Sequence, residues 1–104
     1  MRYDKLIRDG VPALLSAQGV KFTAHTITSD AEFLEALGDK LVEEAGEFQV
    51  DPSLAELADV AAVVLALLAT MGLTGEDLED ACEAKQKERG GFAERIILEE
   101  TVDP

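Results

Sequence analysis

With 104 residues, 22 acidic and nine basic side chains and a net charge of −13, this chain is unsuited to nucleic acid backbones and anionic membranes, which would repel it. The length suits one domain over residues 1–104, with a modest core and little room for a deep, self-contained cleft, so assembly into an oligomer is expected. The longest wholly apolar run, Val60 to Ala69, is ten residues, well short of the roughly 20 that a bilayer crossing needs. A single cysteine, Cys82, excludes an internal disulfide and a thiolate metal cluster, and no basic leader with an apolar stretch and cleavage site is visible, so a cytoplasmic location is expected.

In chain order, residues 11–18 read as a short helix with Pro12 in its first turn and Gly19 as its stop. Residues 21–27, with Phe22, Thr23, Thr26 and Ile27 loosely alternating, predict a strand. Ser29 then opens a capping box with Glu32, and apolar Phe33, Leu34, Leu37 and Leu41 carry a helix to about Phe48. The segment Val50-Asp51-Pro52-Ser53 reads as a tight turn, with Asp51 as N-cap and Pro52 as the first residue of a helix running to about Met71, where Gly72 stops it. The second half of that helix is apolar all round, which predicts burial on every side and, in so small a protein, a dimer seam. A fourth helix is expected from Thr74, boxed by Asp77, to about Arg89 before Gly90-Gly91, with Cys82 packed against a neighbour. Residues 95–98 read as a second strand, which with residues 21–27 would make a small β-ribbon. The expected class is therefore an all-α bundle of about four helices with a small ribbon at its side.

Two acidic pairs flank the central turn: Glu44 and Glu47 before it, Glu56 and Asp59 after it. Within each pair the i, i+3 spacing puts both acids on one helix face, about 4.5 Å apart along the axis. If the helices fold back on each other, Glu47 comes level with Glu56 and Glu44 with Asp59, because the pairs are equidistant from the turn. Four carboxylates brought within 4 to 6 Å repel by a few kcal/mol per pair at an effective dielectric of about 20, so compensation is required. A divalent cation is the simplest compensation. No histidine lies on these helices, which disfavours the Glu-x-x-His pattern of di-iron bundles; oxygen-only ligation favours Mg2+, with Mn2+ as the alternative. Such an ion suits a polyphosphate, whose anhydride it would prepare for attack by water. Acids at this spacing are also common on solvated faces, and Glu43, about 100° around the helix from Glu44, is placed either to hold a water or to pair with Lys40. The cations cluster near the ends, with Lys5 and Arg8 at one and Lys85, Lys87, Arg89 and Arg95 at the other.

The run Lys40-Leu41-Val42-Glu43-Glu44-Ala45-Gly46-Glu47-Phe48, followed by Glu56-Leu57-Ala58-Asp59, resembles the E-E-x-x-E and E-x-x-D signature of the MazG-like, all-α nucleoside triphosphate pyrophosphohydrolases. Tyr3-Asp4-Lys5-Leu6-Ile7-Arg8-Asp9-Gly10-Val11-Pro12 resembles the opening, and Lys85-Gln86-Lys87-Glu88-Arg89-Gly90-Gly91-Phe92 the close, of the phosphoribosyl-ATP pyrophosphohydrolase-like branch. The resemblance implies cleavage of a nucleoside triphosphate to monophosphate and pyrophosphate, in the clearance of non-standard or surplus nucleotides. It implies magnesium held by Glu44, Glu47, Glu56 and Asp59, Glu43 as the extra acid orienting the attacking water, and these five acids as the catalytic set. Lys5, Arg8, Lys85 and Arg89 become triphosphate-binding candidates, with salt bridges to the acidic surface as their other reading. A homodimer or homotetramer is implied as well. Two departures stand out: Asp4 where the branch often has Asn, and Gly10 where it often has Lys. Gly46, inside the acidic helix at a cost of about 1 kcal/mol relative to Ala, would suit a close helix contact. The alternatives are a phosphoribosyl-ATP pyrophosphohydrolase of histidine synthesis, against which the Lys-Leu-Ile-Arg-Asp run stands, and a non-catalytic acidic helical module.

Overall fold

Helix boundaries in the computed structural model, which describes residues 1–103, follow the local capping chemistry closely. The four helices are α1 (Val11–Ala17), α2 (Asp30–Val50), α3 (Leu54–Thr70) and α4 (Gly75–Arg89). Ser29 caps α2, its side chain accepting from the Glu32 N–H at 3.3 Å. Thr74 and Asp77 form a complete capping box on α4, with reciprocal bonds of 2.8 and 3.1 Å that satisfy two otherwise unpaired amides. Gly19 and Gly72 both sit at φ of +73°, the left-handed conformation that ends a helix with least strain in glycine.

The expected start of α3 is displaced. Ser53, not Asp51, is its N-cap: the serine is extended and accepts from the Glu56 N–H at 3.3 Å. Pro52 disfavours helical backbone in the residue before it, so Asp51 closes α2 instead, its N–H donating to the Glu47 carbonyl. Neither expected strand forms: residues 20–29 and 96–103 carry no ladder, and no β-ribbon exists among the described residues. β-Propensity measures fit to a paired, half-buried sheet, and without a partnering edge it does not by itself make a strand.

The chain divides into two compact units, Met1–Leu73 and Thr74–Pro104. In the first, the three-residue turn folds α3 back onto α2 as an antiparallel hairpin. Its core is small, with Leu37 of α2 and Val63 and Leu68 of α3 as the buried apolar residues. Within the single chain α3 is buried on one side only: Leu65 in its apolar second half stays exposed, as do Leu54 and Leu57 nearer its start. Gly46 makes no close approach either, since a Cβ built there meets nothing within 4 Å. The second unit is the polar helix α4 and the segment after it, and Cys82, expected to be packed, is exposed there. No single helix among the described residues is long and apolar enough to cross a membrane.

Candidate metal centre

The hairpin gathers the two acidic pairs as their spacing predicts. One carboxylate oxygen from each of Glu44, Glu47, Glu56 and Asp59 lies within 4.8 Å of every other. Two features of the backbone produce this. The i, i+3 spacing aims each pair from one side of its helix, and the turn at residues 51–53 sets the helices antiparallel with the pairs at matching distances from the bend.

The cost of the arrangement is electrostatic. Two full charges 4.8 Å apart repel by about 3 kcal/mol at an effective dielectric of about 20. Glu44 bears most of it, because it is 8% exposed while Glu47 is open to solvent. Burial pushes the Glu44 carboxyl above its ordinary value; a hydrogen bond with Glu47 and the charges of Glu47 and Asp59 push the same way, against the pull of Lys40.

Three cations partly compensate. Lys40, its side chain 14% exposed, donates to Glu43 Oε2 at 3.1 Å and lies 3.5 Å from Glu44 Oε1. Arg8 donates to Asp59 Oδ1 at 2.6 Å, and Lys5 to Glu43 Oε1 at 3.0 Å. The Lys5 hydrogen bond draws the Glu43 carboxyl below its ordinary value despite partial burial, with Lys40 reinforcing it; the same bond raises Lys5. Five carboxylates (Glu43, Glu44, Glu47, Glu56, Asp59) against three cations (Lys5, Arg8, Lys40) leave a formal charge of −2, which one divalent ion neutralises.

The donor set fits such an ion. Glu44 Oε2 and Glu56 Oε2 are buried without any hydrogen-bond partner. Unpartnered buried carboxylate oxygens are costly, and a metal ion is the partner that would satisfy both.

Of the other expected site residues, Lys5 and Arg8 reach the acidic face by ion pairs, and Glu43 sits beside the cluster in its pairing role with Lys40. Lys85 and Arg89 belong to α4 in the second unit, where Arg89 lies 3.8 Å from Glu88. Lys40, expected from the sequence beside Glu43 alone, also contacts Glu44. The contacts follow from the i, i+3 and i, i+4 spacing to Glu43 and Glu44, whereas the burial of its side chain belongs to the tertiary structure. Beside these residues lies a small depression between the N-terminal segment and α2, lined by the apolar Leu6 and Ala36 as well as Asp4, Lys5, Asp39, Lys40 and Glu43. Compared with protein-family models, curated proteins and solved structures, the chain matches none.

Proposed function

We propose that this protein is a magnesium-dependent nucleoside triphosphate pyrophosphohydrolase that releases nucleoside monophosphate and pyrophosphate, serving to clear unwanted nucleotides in the cytoplasm. The observation that carries the reading is the convergence of Glu44, Glu47, Glu56 and Asp59 around two buried, unpartnered oxygens. The likeness of the three sequence motifs to MazG-like enzymes, in the same order, supports the reaction class. Glu44, Glu47, Glu56 and Asp59 would hold Mg2+, with Mn2+ able to replace it. When bound, the ion offsets the charge of a polyphosphate and makes water a better nucleophile. Glu43, kept ionised by Lys5 and Lys40, accepts hydrogen bonds beside the cluster and is the residue assigned to orient that water. Lys5 and Arg8 supply positive charge to the phosphates from the N-terminal side, and Lys85 and Arg89 are assigned the same task by their motif. The working assembly is a homodimer or homotetramer.

The test is incubation of the full chain with Mg2+ and a panel of standard and modified nucleoside triphosphates plus phosphoribosyl-ATP, measuring pyrophosphate and inorganic phosphate separately. Pyrophosphate release that is lost in Glu47→Gln and Glu56→Gln supports the proposal; release of inorganic phosphate alone defeats it. Preference for phosphoribosyl-ATP would move the protein to histidine synthesis. The ion pairs already made by Arg8 and Lys40 favour one further reading, a non-catalytic acidic module balanced by its own cations. Magnesium binding that nucleotides fail to tighten, without turnover of any panel member, is its signature.

A further inference from the structure

We infer that Arg8, assisted by Lys5, is an exchangeable counter-ion of the acidic face: it pairs with Asp59 while the metal is away, yields to the incoming divalent cation, and transfers its guanidinium to the polyphosphate. The inference rests on the proposed metal centre and adds to it an order of events and a second role for the N-terminal segment.

The three cations on this face differ in kind. Lys40 is carried by α2 itself, one turn from the carboxylates it touches, and its side chain is 14% exposed. It is a permanent part of the site. Arg8 and Lys5 come from 51 and 38 residues away in sequence, on a segment without helix or strand up to the turn that starts α1. Their side chains are 62% and 44% exposed. Ion pairs of that exposure are weak and readily exchanged.

Arg8 and a divalent ion compete for the same ligand. Its hydrogen bond to Asp59 Oδ1 is 2.6 Å long, so a doubly charged ion bound by Asp59 meets a guanidinium on the same carboxylate. Repulsion between a single and a double charge about 6 Å apart is worth close to a factor of ten in affinity even in a water-like dielectric. The reverse follows once the ion is bound. The acidic face, formally −2 with its three cations, then sums to zero, so the three or four negative charges of a polyphosphate are met only if cations of this same set turn from their carboxylates to the phosphates. Arg8 and Lys5 are the exposed cations already aimed there, and a guanidinium fork matches phosphate oxygens in pairs.

The competition predicts effects of opposite sign in one variant. In Mn2+ titrations of the metal-free full chain followed by electron paramagnetic resonance, Arg8→Met should bind Mn2+ about three- to tenfold more tightly than the unmodified protein. Calorimetric titration of the Mn2+-loaded proteins with inorganic tripolyphosphate should show affinity about tenfold or more weaker in Arg8→Met. Lys5→Met should show the same pair of signs with smaller amplitude. Arg8→Lys should return Mn2+ affinity towards that of the unmodified protein while leaving tripolyphosphate binding impaired. Unchanged or weaker Mn2+ binding in Arg8→Met overturns the inference, as does unchanged tripolyphosphate affinity. If the unmodified protein binds no Mn2+, the metal centre fails and the inference with it; if it binds Mn2+ and Arg8→Met is indistinguishable from it, only the inference fails.

Discussion

Glu44→Gln should stabilise the metal-free protein, although the substitution removes a buried residue's charge from what looks like its ion-pair partner. In the hairpin, Glu44 faces three carboxylates, each with an oxygen within 4.8 Å, and one ammonium at 3.5 Å. At an effective dielectric of about 20, each repulsion is worth about 3 kcal/mol and the single attraction about 5 kcal/mol, so repulsion wins. Protonation sets a ceiling on the cost. From the ordinary value of 4.5, neutralising a glutamate at pH 7 costs about 3.4 kcal/mol, and the penalty of keeping it ionised cannot exceed that. The gain expected at pH 7 is therefore about 1–3 kcal/mol, and Lys40 keeps Glu43 as a partner at 3.1 Å. For a domain of this size each kcal/mol raises Tm by roughly 4–8 °C.

The pH dependence gives the sharper test. A folded pKa above the unfolded one means that the native state binds the extra proton, so the contribution of Glu44 is most favourable below 4.5 and falls as pH rises through the raised folded value. Thermal unfolding in EDTA, followed by circular dichroism at half-unit steps from pH 4 to 8, should show the variant's advantage opening above pH 4.5 and then levelling. Added Mg2+ should close it by stabilising only the unmodified protein. A variant less stable than its parent at pH 7, or an advantage independent of pH, would show that the four carboxylates do not confront one another.

Glu43→Gln should act in the opposite window: with its folded pKa lowered, Glu43 stabilises above 4.5 and loses that contribution as pH falls through the lower value, so the variant should lack part of the acid-side decline in Tm. The pairs involved are partly exposed, so the difference should be under about 1 kcal/mol and shrink in 1 M NaCl. Gly46→Ala should raise stability by about 1 kcal/mol in urea unfolding, because the site is helical and a Cβ there has open space; a loss would reveal a close neighbour. Ser53→Ala should cost about 1 kcal/mol by removing the α3 cap. Leu37→Ala, emptying the most buried apolar position, should cost about 2–5 kcal/mol.

What the sequence determined by itself was whatever depends on neighbours within one or two turns. Ser29 and Thr74 as caps, Gly72 as a stop, and the pairing of Glu44 with Glu47 and Glu56 with Asp59 on helix faces follow from geometry that repeats every 3.6 residues. The equal spacing of the acids about the turn even carried their meeting, because an antiparallel hairpin is a local object. One local decision was misjudged: Asp51 and Ser53 are both good caps, and Ser53 takes α3 while Asp51, its N–H bonded to the Glu47 carbonyl, closes α2. The tertiary structure alone decided the rest. Two extended segments stayed unpaired because a strand requires an edge that sequence pattern cannot supply. Burial of Lys40, isolation of Glu44 Oε2 and Glu56 Oε2, and the reach of Arg8 to Asp59 across 51 residues arise only when α3 lies on α2 and the N-terminal segment comes alongside. Charge interactions follow distance in space and exclusion of water, and neither quantity is written in the spacing of residues along the chain.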